Sequence, residues 1–217
     1  MTATGQNQDY DRDGYVHIRK MVPREIASGF LVRLKNDLSR QGVSFDKLEK
    51  MQPLLNRPAP ELYGYHYPPM ATFHWGLTPA ISLHTGRDLL PTYAYFRIYR
   101  RGDICKVHGD RPACEHSLSL TLGYSDDRIW PLDVANEATG KPYERADASF
   151  RDDESYSSAP MEVGDAVLYQ GVTRHHGRVL PNPNEWSAHL FMHWVERDGA
   201  FADSAFDGQS PPAKVTL

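Results

Sequence analysis

The chain has 217 residues, 40% hydrophobic and 24% charged, which is the balance of a globular protein large enough for one well-filled domain. Its formal net charge is -4 and no block of lysine and arginine occurs, so we expect no nucleic-acid or anionic-membrane partner. No apolar run approaches the about 20 residues of a membrane span, and no secretory signal is expected. Two cysteines cannot form a disulfide framework, so a cytoplasmic protein is the expectation.

The first 42 residues predict a strand followed by a helix. Residues 1–13 are polar and we expect them to be frayed, after which "DGYVHIRKM" predicts a short strand. In "VPREIASGFLVRLKNDLSRQG" apolar residues recur at helical spacing, Pro23 suits a first helical turn, and Gly42 suits a helix end. This segment therefore predicts an amphipathic helix.

The next segment predicts irregular structure and then a second helix. Residues 43–74 are rich in Pro, Tyr and His and show no clear periodicity. In "TPAISLHTGRDLL", Thr78 suits an N-cap and Pro79 the first helical position. We therefore expect the second helix to begin at Thr78.

Beyond Pro91 the pattern changes to short strands. The strand-like segments are "TYAYFRIYR", "ICKVHGD", "HSLSLTLGY", "WPLDV", "DAVLYQGV" and "SAHLFMHWVE". Residues 135–160 are polar and rich in Gly, Pro and Ser, which predicts a long loop of the kind that often serves as a lid. The pattern favours a mostly β fold, a sandwich or jelly-roll with N-terminal helices.

We predict a single domain spanning residues 1–217. Residues 1–90 form its helical buttress and residues 91–198 its β core, with the 135–160 loop inside the core. Residues 199–217 form a tail that we expect to be loosely ordered.

One short motif carries the chemistry. His108 and Asp110 stand two residues apart in a strand-like segment, so their side chains point to the same face. A second histidine from another strand would complete two imidazoles and one carboxylate, the facial triad of non-haem Fe(II) oxygenases. "GDAVLYQGVTRHHGRV" supplies two candidates, His175 and His176. Alone, H-x-D is a weak signal, since the chain has ten histidines.

The flanking residues strengthen the motif. From about residue 12 to residue 200 the chain resembles the iron(II)/2-oxoglutarate-dependent oxygenases, in particular the prolyl-4-hydroxylase and phytanoyl-hydroxylase-like branch. The resemblance rests on "DGYVHIRKMVPREI", "YRRGDICKVHGD" and "VGDAVLYQGVTRHHGRV". It is sharpest for bacterial members with an "HxDRxACExS" stretch, an "HxR" at the distal histidine and a closing strand like "FMHWV" here. The resemblance implies a double-stranded β-helix (jelly-roll) core.

The resemblance also implies the ligands of the metal. His108, Asp110 and a distal histidine would hold Fe(II), and His176 is the better distal candidate because it stands in the "HxR" position. His175 would point the other way, into solvent or against the outer layer. Because position 110 is a carboxylate, the open site of the related halogenases is missing, and hydroxylation is favoured.

For the co-substrate 2-oxoglutarate the resemblance implies a basic residue for its distal carboxylate. That cation usually stands about ten residues after the distal histidine, where this chain has Trp186. The remaining candidates are Arg178, His189 and Arg97. Arg178 is favoured because it shares a strand face with His176. Tyr99 matches a tyrosine that donates its hydroxyl to the same carboxylate.

Several other residues keep more than one interpretation. Arg111 would contact substrate or pair with Glu115, and Trp130 is assigned to the substrate by position alone. Cys114 is expected to be a buried small hydrophobe, and His193 a hydrogen-bonded core residue.

The implied reaction consumes 2-oxoglutarate and dioxygen, releases succinate and CO2, and oxidises an unactivated C–H bond of a small molecule, such as an amino acid or natural-product intermediate. Two alternatives remain open. One is a cupin-like jelly-roll that binds metal without redox chemistry, and the other is a Zn-dependent enzyme, which would need a general base near the triad. An inward-facing cation near the distal histidine would discriminate the oxygenase from the cupin-like alternative, which needs no 2-oxoglutarate pocket.

Overall fold

Two antiparallel sheets organise the computed structural model, which describes residues 9–138, 140–144 and 146–209. The larger sheet has seven strands in the order β1-β9-β6-β11-β4-β3-β2, and the smaller has four in the order β5-β10-β7-β8. The strands are β1 (Tyr15–Ile18), β2 (Glu49–Lys50), β3 (Ala59–Tyr63), β4 (Leu89–Arg100), β5 (Cys105–His108), β6 (His116–Tyr124), β7 (Leu132–Ala135), β8 (Tyr156–Ala159), β9 (Ala166–Tyr169), β10 (His176–Arg178) and β11 (Trp186–Glu196). Each of the six strand-like segments beyond Pro91 overlaps one of these strands, so the expectation of a mostly β fold with some helices is confirmed.

Successive side chains of β11 point alternately to the helix-covered face of the larger sheet and to the face that looks towards the smaller sheet. On one face Trp194 is fully buried, and its indole N–H donates to the Thr78 hydroxyl in a helix. The opposite face looks towards the smaller sheet and carries His189, Phe191 and His193. The period of two along an extended strand therefore supplies the core and the site from one segment.

Helix α1 (Arg24–Arg40) forms where the apolar periodicity predicts it. Its buried face, which includes Ala27, Leu34 and Leu38, packs against β6. The chain leaves the helix at Gly42, whose φ of 70° is a left-handed conformation that glycine adopts without steric cost.

Helix α2 (Pro68–Thr85) begins eleven residues before the predicted first helical position, Pro79. The true start is at Pro68, the first helical position, whereas Pro79 lies inside the helix. Thr78 does not cap the helix but accepts the Trp194 hydrogen bond, and packing against β4 supports the helix through Pro79. No helix of the described residues is long and apolar enough to cross a membrane.

Three strands lie in segments that were expected to be irregular. β2 and β3 fall inside residues 43–74 and pair with each other, and β3 also pairs with β4, placing Glu61 opposite Arg97. β8 falls inside the 135–160 loop and forms the edge of the smaller sheet next to β7. All three are short, and tertiary pairing rather than local propensity defines them.

Both ends of the described chain are more ordered than expected. Residues 9–13 are helical, and the buried Tyr10 hydroxyl lies 2.7 Å from Nδ1 of His116. In the tail, a 3₁₀ segment (Ala202–Gly208) packs against β4. Residues 1–8 and 210–217, which complete the predicted frayed ends, lie outside the described residues.

Candidate metal centre

Three polar side chains converge where β5 ends and β10 begins. His108 and His176 are paired opposite each other in the ladder, and Asp110 follows two residues after His108. One Asp110 carboxylate oxygen lies 3.4 Å from His108 Nε2, and the other lies 3.5 Å from His176 Nε2. The ligand atoms of the three residues lie within 4.8 Å of one another, close enough for one cation to bind all of them.

Backbone carbonyls orient both imidazoles. Nδ1 of His108 lies 2.7 Å from the carbonyl oxygen of Lys106, and Nδ1 of His176 lies 3.0 Å from that of Arg174. A carbonyl only accepts, so each Nδ1 carries a proton, and each Nε2 is the nitrogen that faces Asp110. This arrangement is typical of metal-binding histidines, whose second nitrogen donates to a fixed acceptor.

Asp110 is ionised and held in place. Burial raises the pKa of this carboxyl, but the neighbouring His176 and His108 outweigh the burial and hold its pKa well below the usual range. Its backbone N–H donates to the carbonyl of Gly171 at 2.9 Å, and the Ser117 hydroxyl lies 3.2 Å from the carboxylate. The donor set is therefore two imidazole nitrogens and one carboxylate, which suits a divalent transition metal.

His175 faces the opposite side of the strand from the convergent group. Its ring is buried, with Nδ1 2.5 Å from a carboxylate oxygen of Glu154 and Nε2 3.7 Å from one of Glu144. The sequence expectation left open whether it points into solvent or against an outer layer. The structure places it under the 135–160 loop.

Arg178 is a buried cation beside the convergent group. Its guanidinium is almost completely buried, donates to the carbonyl of Trp130, and lies 4.8 Å from that residue's ring. The same group lies 3.4 Å from the Ser119 hydroxyl and 3.4 Å from Nδ1 of His189. Within residues 9–138, 140–144 and 146–209, no carboxylate forms an ion pair with it. A buried charge without a counter-ion is unusual and indicates a place for an anion.

Arg97, another candidate for the same role, is already neutralised. Its guanidinium makes two hydrogen bonds to Glu61 of β3, and both residues are buried. It also donates to the Tyr99 hydroxyl oxygen at 3.1 Å. That hydroxyl also has a hydrogen-bond contact with the Cys105 thiol.

Tyr99, Trp130 and His189 surround the Arg178 guanidinium. The Trp130 ring lies edge-on to Tyr99 at 4.9 Å, and its indole N–H donates to the carbonyl of Leu180 at 2.7 Å. His189 is buried, and burial together with Arg178 holds its pKa well below the usual range, so its ring is neutral. The structure thus groups Trp130 with Tyr99, Arg178 and His189, three of the four co-substrate candidates of the sequence analysis.

A cavity of about 740 Å³ lies between α2, β4 and the tail. Its lining includes Tyr65, Trp75, Tyr93, Phe206 and Asp207. Arg111 stacks on the Tyr93 ring at 4.1 Å and donates to Asp207 at 2.8 Å. The alternative pairing of Arg111 with Glu115 is wrong, because Glu115 instead accepts the backbone N–H of Glu196.

The 135–160 loop contacts the strand that carries the convergent group. The backbone N–H of Tyr143 donates to the carbonyl of Asp110 at 3.1 Å, and Val107 exchanges backbone hydrogen bonds with Asp147. A side chain at Gly109 would collide with the carbonyl of Lys141, which shows how closely the loop approaches.

Sequence reasoning missed several residues of this region. Glu61 stands in a segment without periodicity, Tyr93 reads as ordinary strand core, and Asp207 belongs to the tail. Gly171 was also missed, although a Cβ there would lie 2.5 Å from an Asp110 carboxylate oxygen. Only the glycine offered a signal, because glycine in a strand-like segment often marks a close backbone approach.

No protein-family model matches the sequence, and no curated protein matches it. The fold does have solved counterparts. SnoN, a non-haem α-ketoglutarate-dependent epimerase from nogalamycin biosynthesis, superposes with a TM-score of 0.68 at 13% identity, covering 98% of this chain and 92% of its own. A prolyl-4-hydroxylase from Pseudomonas putida gives 0.61 at 15% identity, covering 90% of this chain and 100% of its own.

HygX from Streptomyces hygroscopicus, solved with nickel and 2-oxoglutarate bound, gives a TM-score of 0.63 at 11% identity, covering 91% of this chain and 89% of its own. These similarities show that the chain has the fold of the non-haem iron, 2-oxoglutarate-dependent oxygenases. The resemblance drawn from the sequence motifs is therefore confirmed at the level of the fold.

Proposed function

We propose that the protein is an Fe(II)/2-oxoglutarate-dependent dioxygenase that oxidises a C–H bond of a small molecule. The observation that carries the proposal is the pairing of the convergent group His108, Asp110 and His176 with Arg178, a buried cation two residues after His176. A metal-binding protein without a 2-oxo acid needs no such cation. The shared fold supports the same conclusion.

His108, Asp110 and His176 fit Fe(II). Two imidazole nitrogens and one carboxylate would hold the ion from one side and leave coordination positions for other ligands. When bound, the iron supplies the activation of dioxygen. The protein's part is to fix the two rings through the carbonyls of Lys106 and Arg174 and to keep Asp110 ionised.

Arg178 holds the distal carboxylate of 2-oxoglutarate in this proposal. Its guanidinium offers N–H donors in a plane that matches a carboxylate, with the Ser119 hydroxyl alongside. We assign the Tyr99 hydroxyl to the same carboxylate: it accepts from Arg97, and its proton would exchange the Cys105 contact for the carboxylate. Neutral His189 adds no competing charge.

We assign Trp130 to this end of the site rather than to the substrate. Its carbonyl accepts from Arg178, and its buried ring covers the guanidinium at 4.8 Å. The ring excludes water from the ion pair that Arg178 would form, which strengthens the electrostatic attraction.

We interpret the two sheets as the faces of one double-stranded β-helix. Tyr169 in the larger sheet lies 4.5 Å from His176 in the smaller one, and Arg178 reaches Ser119 and His189 across the same space. Helices α1 and α2 buttress the outer side of the larger sheet, so residues 1–217 form a single domain in this proposal.

We propose hydroxylation as the outcome, coupled to decarboxylation of 2-oxoglutarate to succinate and CO2. Solved proteins of this fold include an epimerase and a carbocyclase, so the product must be identified by mass spectrometry. Hydroxylation adds one oxygen atom to the substrate, carbocyclisation removes two hydrogen atoms, and epimerisation leaves the mass unchanged.

The test is an anaerobic titration of the metal-free protein with Fe(II) and then 2-oxoglutarate. We expect a weak visible charge-transfer band that needs both additions and is absent from the His176→Ala variant. Tight Zn²⁺ retention with no such band would contradict the proposal and favour a cupin-like metal protein or a Zn-dependent enzyme.

A further inference from the structure

The aromatic cavity is large enough for one small organic molecule. Its volume of about 740 Å³ lies within the range of ligand pockets. Apolar rings dominate the walls, and Trp75 and Phe206 meet edge to face with centroids 6.0 Å apart. Among the described residues that line it, Asp207 supplies the carboxylate.

The side chains of Tyr93 and Cys114 lie between the cavity and the candidate metal centre. Tyr93 lines the cavity, and its hydroxyl lies 3.2 Å from the Cys114 sulfur. That sulfur, an Asp110 carboxylate oxygen and a nitrogen of His193 lie within 4.8 Å of one another. A molecule in the cavity is therefore close to the place where C–H oxidation is proposed.

Arg111 stands at the same boundary and its position is fixed. It follows Asp110 directly and precedes a 3₁₀ turn (Pro112–Cys114), and its guanidinium lies on the Tyr93 ring at 4.1 Å. Stacking on a ring leaves the N–H donors free in the plane of the guanidinium. One of them donates to Asp207 at 2.8 Å.

Asp207 is held less firmly. It lies in the tail, and both it and Phe206 have positive φ values, 56° and 53°. A left-handed conformation is sterically unfavourable for residues with a side chain, so this backbone can relax when the Arg111–Asp207 ion pair opens. Both side chains of the pair are about one-third exposed, which leaves them accessible to a competing anion.

We propose that the substrate carries a carboxylate that replaces Asp207 on Arg111, while its apolar part occupies the aromatic cavity. This inference rests on the proposed function and names its substrate class. An anionic rather than cationic substrate follows because the guanidinium is the fixed member of the ion pair and the carboxylate the displaceable one. A substrate carboxylate can also accept two parallel N–H bonds from Arg111.

The test is calorimetric titration of the metal-free protein with 3-phenylpropionate, its neutral amide, and 3-phenylpropylammonium. We expect the carboxylate to bind at least about tenfold more tightly than the amide. Arg111→Gln should remove this preference and leave amide binding unchanged. Asp207→Asn should tighten carboxylate binding several-fold, because it removes the competing charge and keeps the shape.

Four results would overturn the inference. Three are equal binding of the acid and the amide, a preference for the ammonium that Asp207→Asn abolishes, and no measurable binding of any probe at millimolar concentration. The fourth is an unchanged preference in Arg111→Gln, which would place the acid at another cation, such as Arg178. The titration needs neither iron nor 2-oxoglutarate, so its failure is distinguishable from failure of the spectroscopic test.

Discussion

At the scale of single residues, the adjacent histidines His175 and His176 face opposite sides of the chain. His176 joins His108 and Asp110, whereas His175 contacts Glu154 beneath the 135–160 loop. Because successive side chains of an extended chain point to opposite faces, His176 is a proposed metal ligand, whereas His175 binds a carboxylate of the loop.

This separation predicts opposite effects of the same substitution. His176→Ala should lower Fe(II) or Co(II) affinity by at least about a hundredfold, because it removes one of three ligands. His175→Ala should keep metal binding and lose about 1–3 kcal/mol of unfolding free energy, since a buried hydrogen bond is removed. Metal content by mass spectrometry and urea denaturation measure the two effects. Loss of metal in His175→Ala alone would contradict the assignment.

Two buried arginines provide a second matched pair. Arg178→Met removes a cation that has no carboxylate partner among the described residues, so the free energy of unfolding should stay level or rise. Its dissociation constant for 2-oxoglutarate, measured with Mn(II) in place of Fe(II), should rise at least about thirtyfold, corresponding to about 2 kcal/mol or more.

Arg97→Met is the control for that pair. It leaves the buried Glu61 carboxylate without its ion-pair partner, and this should lower the free energy of unfolding by about 3–5 kcal/mol. Unchanged 2-oxoglutarate affinity in Arg178→Met would move the proposed anchoring role to another residue.

At the scale of elements, the connection from β9 to β10 passes close to Asp110. A Cβ on Gly171 would lie 2.4 Å from the Cys114 carbonyl oxygen and 2.5 Å from an Asp110 carboxylate oxygen. Such distances are not compatible with a side chain unless the carboxylate or the backbone shifts. This connection therefore positions the carboxylate as well as the distal histidine.

Gly171→Ala should accordingly weaken metal binding, by at least about tenfold, because the carboxylate must move from its ligand position. Gly29→Ala is the matched control, since a Cβ there meets nothing within 4 Å and alanine favours the α1 helix. Isothermal titration with Co(II) compares the two variants. Equal affinities would show that the Asp110 carboxylate tolerates the shift.

At the scale of the whole molecule, buried neutral histidines make the free energy of unfolding depend on pH. Burial lowers the pKa of His74 to about 3 and that of His116 to about 4, from an ordinary value of 6.5. His74 lies in α2 and His116 begins β6, so both sit where a helix or the N-terminal segment meets the larger sheet.

The free energy of unfolding should therefore fall as the pH drops from about 6.5 towards 4. In that range the unfolded chain binds protons that these folded-state histidines do not, at about 1.4 kcal/mol per pH unit for each residue. Urea denaturation at several pH values measures the slope. His116→Gln should reduce the slope, whereas replacement of the exposed His66 by Gln should not. Equal slopes in all three proteins would contradict this account.

The sequence by itself determined the features that depend on local periodicity and short spacing. Alternation predicted β4, β6 and β11, and the two-residue spacing of His108 and Asp110 predicted that they share a face. The apolar stripe predicted α1. These features can be predicted from the sequence because each depends only on residues within one helical turn or one strand.

Only the tertiary structure decided the rest. Packing against β4 keeps α2 helical on both sides of Pro79, and pairing with β4 defines β3. The fold also places Glu61 against Arg97 and Asp207 against Arg111. Each is a contact between distant segments, for which the sequence carries no local signal. The difference between the neutralised Arg97 and the carboxylate-free Arg178 therefore became visible only once the chain was folded.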